Sequence, residues 1–218
     1  MQIKWYGHAA FKITTESGTR VIIDPYQSGF SGDALSYGKI TDEAEVVITS
    51  HAHGDHNYVK DIQGRYEHIR DAGKYEIADV RIETIPTFHD ESKGKERGKN
   101  LISVIAADRL TLAHLGDLGH GLDQDILKKI GPVDILLLPV GGFYTIDAGT
   151  AGKIMSDIHP KITIPMHYKT QKCGFPITGV DAFTGGRKGV RILRKSELEI
   201  TRESLPNDLE IVVLQHAM

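Results

Sequence analysis

The run Thr49-Ser50-His51-Ala52-His53-Gly54-Asp55-His56 constrains this chain more than any other feature. It follows directly on Val46-Val47-Ile48-Thr49, a short apolar stretch that reads as a buried strand. In extended backbone, residues two apart point to the same side, so His51 and His53 can present imidazole nitrogens to one ion. Where the chain then turns, into a helix predicted over Asp55 to Ile62, the adjacent Asp55 and His56 can reach a second ion. Imidazole nitrogen and carboxylate oxygen suit zinc and its borderline neighbours manganese, iron and nickel. An exposed polar turn is the plain alternative, and the spacing after an apolar strand speaks against it.

Four side chains are too few for two ions, since each needs about three protein ligands. The rest of the chain supplies candidates. His89 ends a strand-like segment in Pro86-Thr87-Phe88-His89-Asp90. Asp117 lies in His114-Leu115-Gly116-Asp117-Leu118-Gly119, where the flanking glycines free the backbone to bring a carboxylate close to an ion. His167 follows another short apolar strand in Pro165-Met166-His167-Tyr168. A lone strand-end histidine is more often structural than a ligand, but together these residues complete a set.

The surrounding chain is ordinary globular material: 218 residues, 40% hydrophobic and 25% charged, enough for a sizeable core and expected to form one domain over 1–218. The unusual item of composition is 11 histidines against a single tryptophan. Cys173, the only cysteine, excludes an internal disulfide framework. With no long apolar span and an amino terminus that runs straight into a strand pattern, a soluble cytoplasmic protein without membrane partners is expected. The formal net charge of −3 gives no strong nucleic-acid signal.

Short strands with tight turns are predicted over Ile3–Tyr6, Ala10–Thr14 and Arg20–Ile23, then a Gly- and Ser-rich surface loop from Tyr26 to Thr41. More strands follow over Tyr66–Ile69, Tyr75–Ala78, Val80–Thr87, Leu101–Ala106 and Arg109–His114. Strand and helix then alternate, with helices over Asp123–Ile130 and Asp147–Asp157 and strands over Asp134–Leu138 and Ile162–Pro165. Strands near Val190–Leu193, Leu198–Thr201 and Leu209–Leu214 close the chain.

The order His-x-His-x-Asp-His, a lone strand-end His, Gly-Asp and Pro-x-His is similar to the metallo-β-lactamase superfamily of metal-dependent hydrolases. Gly7-His8-Ala9, Ile23-Asp24-Pro25, Pro139-Val140-Gly141-Gly142 and Pro165-Met166-His167-Tyr168 resemble the short branch that includes ascorbate-6-phosphate lactonase. The resemblance covers nearly the whole chain. It implies an α/β fold, an αββα four-layer sandwich with the metals at one edge between the two sheets. Carried over by position, it implies that His51, His53 and His89 hold a first metal, that Asp55, His56 and His167 hold a second, and that Asp117 bridges them. Zinc is the default metal, with manganese, nickel or iron as alternatives.

The resemblance then implies a hydrolase whose two ions activate water against a small-molecule lactone, ester, amide or phosphodiester, with Asp55 orienting the water or taking its proton. Asp24 is expected to accept a hydrogen bond from a ligand histidine, and His8 to lie at the rim of the site or behind the ligands. The polar loop from Asp90 to Asn100 reads first as a solvated loop, since charge runs usually face water; the functional alternative makes Arg97 a grip on an anionic substrate, with Lys169 and the Tyr144 hydroxyl as further candidates unless Tyr144 simply packs. His114 and His120 are placed near the site without a ligand role. A nuclease-type phosphodiesterase, a non-catalytic metal-binding sensor or scaffold, and an iron oxidoreductase are the competing readings. A homo-oligomer is compatible with all of them.

Overall fold

Alternating side chains in the first strands face two different apolar surfaces. In a computed structural model describing residues 1–218, β1 (Gln2–Gly7), β2 (Ala10–Thr14), β3 (Arg20–Ile23) and β4 (Val46–Ile48) form consecutive neighbours in one sheet. Trp5, Phe11, Ile13, Val21, Ile23, Val46 and Ile48 point into the main core, whereas Tyr6, Ala10, Ile22 and Val47 point the other way into a smaller cluster. The period of two thus serves two cores at once.

A single turn, α1 (Phe30–Asp33), interrupts the long β3–β4 connection, and β5 (Glu67–Ile69) pairs parallel to β4. Then come β6 (Gly73–Ile77), β7 (Val80–Phe88), β8 (Lys99–Ala107), β9 (Leu110–His114), α2 (Gln124–Ile130), β10 (Ile135–Pro139), α3 (Ala148–Ile158), β11 (Ile162–Met166), α4 (Asp181–Thr184), β12 (Val190–Ile192), β13 (Glu197–Glu199) and β14 (Glu210–Val213). The six-stranded sheet has the order β13-β1-β2-β3-β4-β5, and the eight-stranded sheet the order β12-β14-β11-β10-β9-β8-β7-β6. Both are mixed, and together they form the expected sandwich around one core of 43 buried residues.

β10 and β11 are buried along their whole length, as parallel strands at the centre of a covered sheet must be. The helices pack against this sheet, α3 on β10 and α2 on β7. Asp123 and Asp147 cap α2 and α3, accepting from Ile126 N (2.8 Å) and Thr150 N (2.7 Å). No helix is long and apolar enough to cross a membrane.

Two local expectations are corrected. Residues 55–62 form turns, because the bonds a helix would need are already taken. Tyr58 N donates to Pro25 O (2.7 Å), and the Gly54 carbonyl accepts from Gln27 N (3.1 Å). The Tyr26–Thr41 connection is no mere surface loop either. It buries Tyr26, Leu35, Tyr37 and Ile40 against the outer face of the first sheet, covering it with irregular chain.

Topology decides where the ligand-bearing loops emerge. β1 is antiparallel to β2 and β2 to β3, so β1, β3 and β4 run the same way. By the same count β7, β9, β10 and β11 share one direction. The C-terminal ends of these strands carry His8, Asp24, the His51–His56 run, His89, Asp117 and His167 to one edge of the sandwich.

Ile13, fully buried and directed into the main core from β2, is an anchor of the fold. Ile13→Ala should cost about 2–5 kcal/mol, seen as a lower urea midpoint with metal content unchanged.

Candidate metal centre

Each ligand candidate is positioned by a strand end and a small set of buried bonds. Asp24, fully buried after β3, is the hub. Its Oδ1 accepts from Ser50 N (2.7 Å) and its Oδ2 from Ser50 Oγ (2.7 Å) and His56 Nδ1 (2.9 Å). Ser50 Oγ in turn accepts from His51 Nδ1 (2.9 Å). Both histidines therefore donate through Nδ1 and aim Nε2 inward, where each is buried without a hydrogen-bond partner. Asp24 thus accepts from His56, one of the candidate ligands.

Asp117 is held by its backbone. Gly116 takes a φ of 56°, and a Cβ there would overlap Asn100 and Ser50. The buried Asn100 amide donates to Thr87 Oγ1 (2.8 Å) and Leu115 O (3.0 Å), and its Oδ1 accepts from Asp117 N (2.9 Å). A Cβ at Gly119 would overlap the His89 backbone, so the Asp117 and His89 loops lie in direct contact.

Seven expected ligands come together. His51, His53 and His89 form one group with ligand atoms within 4.8 Å of one another; Asp55, His56 and His167 form a second, joined by His8. Between them stands Asp117 Oδ2, 3.1 Å from His56 Nε2, 3.2 Å from His89 Nε2, 3.3 Å from His167 Nε2 and 3.9 Å from His51 Nε2. His51 Nε2, His56 Nε2 and Asp117 Oδ1 are buried there without a hydrogen-bond partner. So many buried polar atoms converging without partners fit a metal centre, since buried polar groups are otherwise satisfied.

The electrostatics agree. Burial opposes ionisation of Asp117, but His167 and His56 hold its carboxyl well below the usual range. Burial likewise opposes a charged His56, yet Asp117, Asp55 and Asp24 together raise it well above the ordinary histidine value. Burial and neighbouring imidazoles push His8 down to about 4 and His51 to about 3. The pocket favours a positive charge on His56, where the carboxylates meet, and rejects it on His8 and His51.

Sequence reasoning placed some residues well and others poorly. Of the positions open to His8, the structure shows the one behind the candidate ligands: it is fully buried, and its Nε2 donates to Asp55 Oδ2 (3.3 Å). Arg97 and Tyr144 line the adjoining cavity of about 330 Å³ with Phe30, Ser31 and Phe175, three lining residues that sequence reasoning missed. Lys169 does not reach it; its ammonium donates to Phe175 O (2.8 Å), so it braces the rim. His114 donates to Ala9 O (2.9 Å) and accepts from Gly116 N (3.0 Å), which makes it structural. His120 accepts from Phe88 N (3.3 Å) and donates to Gly121 O (2.7 Å). Ser50 sat visibly inside the motif, whereas nothing near Asn100 announced its role.

A β-lactamase superfamily domain model matches residues 2–167. The chain belongs to the metallo-β-lactamase superfamily. A Thermotoga maritima protein, described as a Zn-dependent hydrolase of this superfamily, shares 32% identity at a TM-score of 0.81 over 98% of this chain and 97% of its own. A metal-dependent hydrolase of Carboxydothermus hydrogenoformans is 28% identical over 232 residues, covering 92% of this chain and 100% of the relative. One from Thermococcus onnurineus is 30% identical over 195 residues, 78% of this chain and 85% of the relative.

Superfamily membership and the bond network lead to two expectations. Asp24→Asn leaves a group that no longer suits both Ser50 and His56, so metal affinity should fall about 10–100-fold in equilibrium dialysis while far-UV circular dichroism is retained. The metal-free protein should also lose stability as pH falls. His8 and His51 have folded pKa values of about 4 and about 3. The unfolded chain protonates them near about 6.5, so it binds more protons in between. Their contribution is complete above the unfolded pKa and declines toward pH 4. His56, with its raised pKa, opposes them, but two groups outweigh one. Urea midpoints between pH 7 and 5 measure the slope.

Proposed function

We propose that this chain is a binuclear metal-dependent hydrolase acting on a small-molecule lactone, ester, amide or phosphodiester. The observation that carries the reading is Asp117 Oδ2, with the imidazole nitrogens of His56, His89, His167 and His51 arrayed around it at 3.1 to 3.9 Å. Asp117 clusters with His51 of one ligand group and His56 of the other. His51, His53 and His89 would hold one ion, Asp55, His56 and His167 the other, and Asp117 both. Zinc is the first choice for such nitrogen and oxygen donors.

Ions bound there would supply Lewis acidity to the substrate oxygen and a water acidic enough to lose a proton near neutral pH. The chain's own residues do the rest. Asp55 faces the cavity, held by the His8 hydrogen bond, with its carboxyl kept below the usual range; burial opposes that, and His56 and His8 outweigh it. In this reading Asp55 orients the attacking water and takes up its proton as the water is deprotonated. Asp24 and Ser50 fix the tautomers of His56 and His51, so no reorganisation is needed when substrate arrives. Phe30, Tyr144 and Phe175 give the cavity apolar walls that limit water around the reacting centre.

Metal analysis of protein purified without chelator and then refilled with zinc or manganese tests the reading. Two ions per chain are expected. His51→Ala and His167→Ala should each lose one ion preferentially and most hydrolysis of aryl esters or phosphodiesters. Near-zero metal after refilling, or full activity in either variant, overturns it.

A further inference from the structure

Arg97 is the one lysine or arginine in the cavity wall, and it also borders a further cavity lined by Asp90, Glu91, Glu96 and Asp147 without forming an ion pair with any of them. Its guanidinium lies 5.9 Å from the Tyr144 ring centroid with no carboxylate within ion-pair distance, although two carboxylates, Asp55 and Asp117, line the same cavity. A half-buried, unpaired guanidinium is an electrostatic cost unless a ligand anion completes it.

The loop that carries Arg97 is built to hold it in place. Asp90, next to the ligand His89 and itself buried, accepts from Gly94 N (2.8 Å) through Oδ1 and from Glu96 N (3.1 Å) and Arg97 N (2.8 Å) through Oδ2. His89 N donates to Gly98 O (3.0 Å), closing the loop at its base. The polar segment is therefore a tight Asp-centred turn, and the Arg97 backbone is tied to the residue beside a metal ligand.

Arg97 also stands at a junction. A second cavity of about 510 Å³ lies on its far side, beside His51 and His53, and Arg70 and Lys99 line it with only one acid, Asp71, for balance. The two cavities share His53 and Arg97. A molecule lying across the metal ligands would meet aromatic walls on one side and concentrated positive charge on the other.

Resting on the hydrolase reading above, we propose that the substrate carries an oxyanion, a carboxylate or a phosphate, apart from its scissile group. Arg97 grips this oxyanion in bidentate fashion at the junction, with Arg70 and Lys99 reinforcing the field, while the apolar body packs on Phe30, Tyr144 and Phe175. Arg97 is thus a specificity-determining residue, and neutral analogues of the same shape are poor ligands.

Calorimetric titration of the zinc-refilled protein with phenylphosphonate and benzoate, and with neutral benzamide as control, tests this. Both anions should bind and benzamide should not. Arg97→Met should weaken anion binding about 10-fold or more with metal content and melting temperature unchanged. Arg97→Lys should recover part of the loss, and Arg70→Met with Lys99→Met should give a smaller one. Tighter binding of phenylphosphonate assigns phosphate, and of benzoate carboxylate. Equal anion affinity in wild type and Arg97→Met would mean that anions rest on the metals alone; it overturns this inference and leaves the hydrolase reading standing. Arg97-dependent binding by protein that takes up no metal overturns the hydrolase reading and leaves the anion site in place.

Discussion

A carboxylate buried to 2% exposure among imidazoles that cannot all donate to it sets the terms for this structure. Burial opposes the charge on Asp117, and His167 and His56 beside it hold the carboxyl ionised. Its loop is correspondingly fixed, by a left-handed Gly116, by the Asn100 amide and by close contact with the His89 backbone. Without the ions, the same residues are a cluster of unsatisfied polar atoms that the hydrophobic core has to tolerate. Metal binding and folding are therefore coupled, and the core must supply the stability that the site withholds.

Strain is placed where the ligands need it. His8, Asp24 and His167 are not glycines, yet all three have φ near +50°. Each follows directly on a strand, and the left-handed step turns its side chain from the strand direction into the space between the sheets. The surrounding backbone compensates: the His8 carbonyl accepts from both Trp5 Nε1 (3.1 Å) and His167 N (3.0 Å), joining two of the strained residues across the two sheets. Rigid strands that end at one edge, each with a single sharp step, fix seven or eight donors far better than mobile loops could.

How much was legible depended on how far the deciding interaction lay along the chain. The strands were readable because alternation is local, and both long helices because Asp123 and Asp147 mark their starts. The helix predicted over residues 55–62 failed because Pro25 and Gln27, some thirty residues upstream, capture the backbone groups it would use. Burial of Tyr26, Leu35, Tyr37 and Ile40 was hidden because their periodicity answers to the outer face of a sheet made elsewhere. Lys169, two residues from His167, was drawn to the Phe175 carbonyl instead of the cavity.

The sequence by itself determined the chemistry: the donor types, their order and the strand ends that bear them are written in His51, His53, Asp55, His56, His89, Asp117 and His167. Tertiary structure alone decided the grouping, the place of His8 beside Asp55, the service of Asn100 to Asp117 and the position of Arg97 between two cavities. The physical reason is range. Ligand identity is a property of one side chain, whereas coordination and electrostatic need are set by atoms that only the folded topology brings within a few ångströms.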